Sequence, residues 1–181
     1  MVGNFIADWV KGNKYNDYPD EIRRGILLHR AIDSFTDNHP LHKHSRQVFA
    51  ENYGRFSGIV VDVLYDHFLS VHWKRFSNIP RNQFIENAYQ VIWNYRTYLP
   101  PRPKRLLPSI IHHDWVGCYV SFYGLQKVLE RMSRRTALPP MSRNAISTLR
   151  EQYQILDNDF MAFYPELLQF VTEYELSPTK T

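Results

Sequence analysis

Residues 59–73, IVVDVLYDHFLSVHW, read as a helix that is apolar on nearly every side, and such a helix belongs inside a core. At about 100° per residue the same stretch holds Asp62 and Asp66 one turn apart, with Ser70 a turn further on and His67 at the edge of the sector. An ionised group taken out of water must be paired, protonated or bound to a metal. Two readings stand side by side here. Either Asp62 and Asp66 pair with arginines or cap a neighbouring backbone, or they belong to a metal or acid–base site.

Moving upstream, residues 20–36 make a second helix, begun by Pro19 and the acidic residues that suit a positive helix end. His29 and Asp33 stand four apart on it and continue the stripe of Ile22 and Ile26. Polar groups on an inward face need partners. Asp37 extends the acidic line before Asn38-His39-Pro40 breaks the helix. Further upstream, residues 3–13, GNFIADWVKGN, read as the end of a helix with Asn4 and Asp8 one turn apart and Gly12-Asn13 as its stop. Its abrupt start predicts that residues precede Met1.

The rest of the chain supplies scaffold. A short helix is expected over 41–53, where His42 and His44 point to different faces and Lys43 and Arg46 argue for a solvated surface rather than a metal site. Further helices are expected over 81–98, 121–133 and 142–173, the last with Leu149, Tyr153, Leu156, Phe160 and Phe163 as a packing seam and Pro165 as a bend or restart. The basic stretch LPPRPKRLLP reads as a connector whose prolines prevent a helix, with Arg102, Lys104 and Arg105 in a solvated loop. Arg134 and Arg135 follow the 121–133 helix, where cations favour the helix end and could also grip a phosphate.

With 181 residues, few glycines and almost no β-type alternation, the chain is expected to be all-α, a single helical bundle over 1–175 with a frayed tail at 176–181. A lone cysteine, Cys118, excludes an internal disulfide framework and a cysteine-based zinc cluster, and fits a reducing compartment. Neither a secretory segment nor a membrane-spanning apolar run is present, so a cytoplasmic protein is expected. The net charge of +4 favours an acidic partner. No nucleic-acid-binding motif accompanies it, so a nucleic-acid partner is not expected.

Packed side by side, the two polar helices would share one cavity. Asp8, His29, Asp33 and Asp66 are then candidate metal ligands, an oxygen-rich set with imidazole that suits Mn²⁺ or Mg²⁺ and tolerates Fe²⁺ or Zn²⁺. His67 and Asp62 are candidates to orient or deprotonate a water, and Arg30, Arg134 and Arg135 to steady a phosphate.

Asp66-His67, with a His and an Asp upstream on helices, resembles the HD phosphohydrolase arrangement. Five blocks in order, GNFIADWVKGN, HRAIDSFTDNHP, DVLYDHFLSVHW, WVGCYVSFYGLQKVLERMSRR and FMAFYPEL, resemble the bacterial acyl-carrier-protein phosphodiesterase family over nearly the whole chain. That resemblance implies an HD-like, Mn²⁺-dependent enzyme of lipid metabolism. It would hydrolyse the phosphodiester between 4′-phosphopantetheine and a serine of acyl carrier protein, an acidic partner. Family members usually begin somewhat earlier, so the resemblance also implies a preceding segment with a His near the site. The alternatives are an HD-type phosphohydrolase of nucleotides or other small phosphodiesters, and a non-catalytic basic module that binds an acidic protein.

Overall fold

The computed structural model describes residues 1–134, 139–140 and 142–177. Ten helices occur among them, α1 Val2–Ile6, α2 Asp20–Asn38, α3 Pro40–Tyr53, α4 Ser57–Val71, α5 Trp73–Phe76, α6 Arg81–Asn94, α7 Pro101–His112, α8 Phe122–Ser133, α9 Ser142–Glu151 and α10 Tyr153–Leu176. There is no strand among the described residues, so the all-α expectation holds. None of the helices is long and apolar enough to cross a membrane.

Helix α4 is the centre of the larger core. Its Val60, Val61, Leu64 and Phe68 are fully buried against side chains of α3, α8, α9 and α10, including Phe49, Leu125, Leu149 and Phe160. Valine is a weak helix former, but packing outweighs that preference on a helix surrounded by others. A smaller core joins α1 and α2 to α6 and α7 through Val2, Ile6, Ile22, Ile26, Ile92 and Leu107. Between the two cores, α2 and α4 turn polar residues toward one another.

Two expectations about proline need correction. Residues 101–112 form α7 despite Pro101, Pro103 and Pro108. Pro101 and Pro103 fall in the first turn, where the missing N–H would have had no helical acceptor. Pro108 costs one interior hydrogen bond, which burial of Leu107 and Ile110 outweighs. The final long helix is interrupted at Gln152 and not at Pro165, which lies inside α10. Gln152 has φ −108° and ψ 17°, and nothing in the adjoining sequence marks it as a breaker. The 81–98 helix also stops early, at Asn94, and continues as a 3₁₀ turn over Arg96–Tyr98.

Candidate functional site

The site begins with two glycines. Gly3 of α1 lies on the Ile22–Gly25 turn of α2, so a Cβ at Gly3 would overlap the Ile22 carbonyl, and one at Gly25 would come to 3.1 Å of the Gly3 Cα. This approach lets the end of α1 reach the next turns of α2. Asn4 Oδ1 accepts a hydrogen bond from His29 Nδ1 at 3.0 Å. That bond turns Nε2 toward Asp33 Oδ2 at 3.2 Å and Asp8 Oδ1 at 3.6 Å.

These three residues can each offer one ligand atom with all such atoms within 4.8 Å of one another. A histidine that donates through one nitrogen to a polar anchor and faces a carboxylate pair with the other has the usual build of a metal-ligating imidazole. Hydrogen bonding by Asp33 and then Asp8 raises the His29 pKa to about 9. The same bond to His29 holds the Asp8 carboxyl below its ordinary value. The donor set fits a hard or borderline divalent cation, which would compete with the proton on Nε2.

Across a cavity of about 1150 Å³, α4 faces this cluster with Asp62 and Asp66. Asp62 Oδ1 accepts from His42 Nε2 at 3.1 Å. Asp66 is exposed, and it opens onto the cavity. Desolvation, and then repulsion by Asp62, push its carboxyl up to about 7. A hydrogen bond with the Tyr119 hydroxyl acts in the opposite direction on Asp66. The cavity also has an apolar wall that includes Val63, Leu69, Met132, Phe160 and Phe163.

The structure therefore gathers Asp8, His29, Asp33, Asp62 and Asp66 in one cavity, with Asp66 outside the tight Asp8–His29–Asp33 group. His67 does not join them, and its expected place at the cavity edge needs correction. It is buried, its Nδ1 donates to the Tyr119 carbonyl at 2.8 Å, and Tyr153 Oη lies 3.4 Å from Nε2. Successive helical residues diverge by about 100°, so Tyr119 receives one member of the Asp66-His67 pair on its hydroxyl and the other on its carbonyl.

Nor are the expected phosphate-binding arginines at the cavity. Arg30 donates to the Val10 carbonyl at 2.6 Å and lies over Tyr15 at 5.1 Å, which anchors the turn carrying Asp8. Arg134 ends α8 away from the cavity lining, and Arg135 lies outside the described residues. Arg46 and Arg55 line the cavity instead. Arg46 passes over Gly58, where a Cβ would meet its Cζ at 3.5 Å, and pairs with Asp37 at 3.8 Å.

The His-rich tract is also corrected. His42 is fully buried and His39 nearly so, and only His44 is exposed. His39 meets Glu166 at 3.1 Å and His44 meets Asp159 at 2.7 Å. The facing rule correctly separates His42 from His44, and Lys43 and His44 are exposed as expected; the solvated reading fails for His42, which is buried and meets Asp62 of α4. A signal was available in the sequence, since His42 and Arg46 are one turn apart on α3 and face α4 together.

No solved structure matches the chain. Among curated proteins, it is 33% identical over 170 residues to the acyl carrier protein phosphodiesterase of Yersinia pestis, covering 93% of this chain and 88% of that one. The proteins of the same name from Klebsiella pneumoniae and Pectobacterium atrosepticum are each 35% identical, over 97% of this chain and 92% of theirs. The family model for acyl carrier protein phosphodiesterase matches residues 1–167, which take in both walls of the cavity and all but the end of α10, and the chain belongs to that family.

Proposed function

We propose that this chain is a divalent-cation-dependent phosphodiesterase that cleaves the bond between 4′-phosphopantetheine and the carrier serine of acyl carrier protein, releasing apo carrier protein. The observation that carries this reading is the single cavity with a His–carboxylate cluster on one wall and a carboxyl poised near neutrality on the other. Asp8, His29 and Asp33 would hold the cation, with Mn²⁺ the first candidate and Mg²⁺ or Fe²⁺ also suited to the donors. When bound, the cation would neutralise a phosphate oxygen and acidify a water.

Asp62, oriented by His42, takes a proton from the attacking water as the new P–O bond forms. Asp66, which retains its proton up to about pH 7, gives it to the serine oxygen as the old P–O bond breaks. Two neighbouring carboxyls, one of which is kept protonated by its surroundings, are suited to such a division of labour. Arg46 and Arg55 face the remaining phosphate charge, and the apolar wall adjoins the pantetheine arm. We place the protein in the cytoplasm, where the lone thiol Cys118 would stay reduced.

Incubation of the protein with holo carrier protein and Mn²⁺, read by mass, tests this directly. Loss of the prosthetic group is expected, and chelation of the cation should stop it. An intact holo protein beside a cleaved nucleotide would instead assign the cavity to a small phosphodiester.

A further inference from the structure

The positive charge of this chain is concentrated in one hairpin. Between Arg81 and His113 five cations, Arg81, Arg96, Arg102, Lys104 and Arg105, stand against one carboxylate, Glu86. That surplus equals the +4 of the whole chain, so the remainder is formally neutral. Arg102, Lys104 and Arg105 are exposed on α7 and make no ion pair among the described residues. They also sit toward the N-terminal end of a helix with no acidic residue in its first turn, where the backbone dipole disfavours cations. Their placement does not serve the stability of α7, and a local rule broken without a structural gain points to an external partner.

Between α6 and α7, on the helix that carries these cations, lies a largely apolar groove of about 600 Å³, lined by Tyr89, Trp93, Pro108, Ile111 and His112 together with the amides Gln90 and Asn94. Lys104 and Arg105 precede Pro108 by four and three residues, so they continue the same stripe of α7. In the 3₁₀ turn that follows α6, Arg96 lies over the ring of Trp93 at 4.9 Å, and Trp93 is 43% exposed. The groove is therefore largely apolar within, with Lys104 and Arg105 along α7 and Arg96 in the turn that follows α6.

We propose that the α6–α7 hairpin is the docking surface for the acidic protein substrate, with carboxylates of the partner over Arg96, Lys104 and Arg105 and one apolar side chain in the groove. This rests on the carrier-protein reading above. A recess between two helices receives a side chain from a helix laid across it, whereas insertion into a lipid surface calls for a protruding apolar face.

The test compares the full chain with the combined variant Arg102→Glu, Lys104→Glu, Arg105→Glu and, separately, with Trp93→Ala. At low salt the charge reversal should raise KM for holo carrier protein about tenfold with kcat within about twofold, because rim charges steer association, and the difference should shrink at about 0.5 M salt. Hydrolysis of bis(p-nitrophenyl) phosphate should not change. Trp93→Ala should weaken binding of apo carrier protein at both salt concentrations. Unchanged KM and unchanged carrier binding in both variants would overturn the docking surface while leaving the cavity chemistry intact. If the wild type releases no phosphopantetheine, the functional reading fails and binding of apo carrier protein decides the docking claim alone: binding lost on reversal supports it, and no binding by the wild type overturns it. Loss of phosphatidylglycerol-vesicle or single-stranded DNA binding on reversal, with carrier binding retained, would also overturn it.

Discussion

Across the cavity, α2 presents charges that compensate one another, whereas on α4 Asp62 is paired with His42 and Asp66 has a tyrosine hydroxyl for its partner. His29 lies between Asp33 and Asp8 with its far nitrogen on Asn4. The group is half open to water and each charge has an opposite beside it. Asp66 projects from a helix otherwise packed in the core, with another carboxylate one turn away and a tyrosine hydroxyl as its hydrogen-bonding partner. The first wall resembles an ordinary surface ion-pair network; the second is a local cost that the fold carries. Costs of that kind concentrate where proton transfer or charge stabilisation is required.

The sharpest way to break this comparison is to remove one wall at a time. His29→Ala should abolish tight Mn²⁺ binding in calorimetry and lower phosphopantetheine release by about a thousandfold or more, the scale of losing a bound Lewis acid. Asp66→Asn should keep the ion and still lose on the order of 10²–10⁴-fold in turnover, the range of a lost general acid. Equal loss of ion binding in both variants would mean that the two walls are one ligand set.

A smaller loss is expected from geometry alone. Gly3→Ala would drive α1 from the Ile22 carbonyl and carry Asn4 and Asp8 away from His29. Ion affinity should drop about 10–100-fold, as when the supporting shell of a metal site is disturbed. Unaltered affinity would show that the α1–α2 contact does not position the ligands.

Protonation separates the walls further. The pKa of His29 stands at about 9 against an ordinary 6.5, so its stabilising contribution is complete below about pH 6.5 and is lost as pH rises through 9. Asp66 stands at about 7 against 3.8, so its protonated form favours the fold below about pH 4, and that advantage is lost as pH rises through 7. In metal-free protein, the Tm difference between wild type and His29→Gln should therefore change over the higher window. The difference from Asp66→Asn should change over the lower one, at about 2–4 °C per kcal/mol for a chain of this size. Cation binding at pH 7 should release about one proton, from His29, measurable in buffers of different ionisation heat.

The smallest effect on chemistry belongs to His67. His67→Leu should change turnover by less than about threefold while costing about 1–3 kcal/mol of stability through the Tyr119 carbonyl left without its donor. A collapse of kcat in a folded variant would return His67 to the reacting centre.

Helical spacing alone brought out the all-α class, the inward His29–Asp33 pair and the Asp62–Asp66 pair, because periodicity along a helix depends only on local geometry. It also marked Asn4 and Asp8 as neighbours, although their reach to His29 required two glycines to meet. Which carboxylate takes which histidine, the turning of His67 toward Tyr119, the entry of Arg46 and Arg55 into the cavity and the persistence of α7 through three prolines were decided in the tertiary structure. Each of these depends on contacts between helices far apart in the chain, where burial and the partners available outweigh the preferences of any single residue.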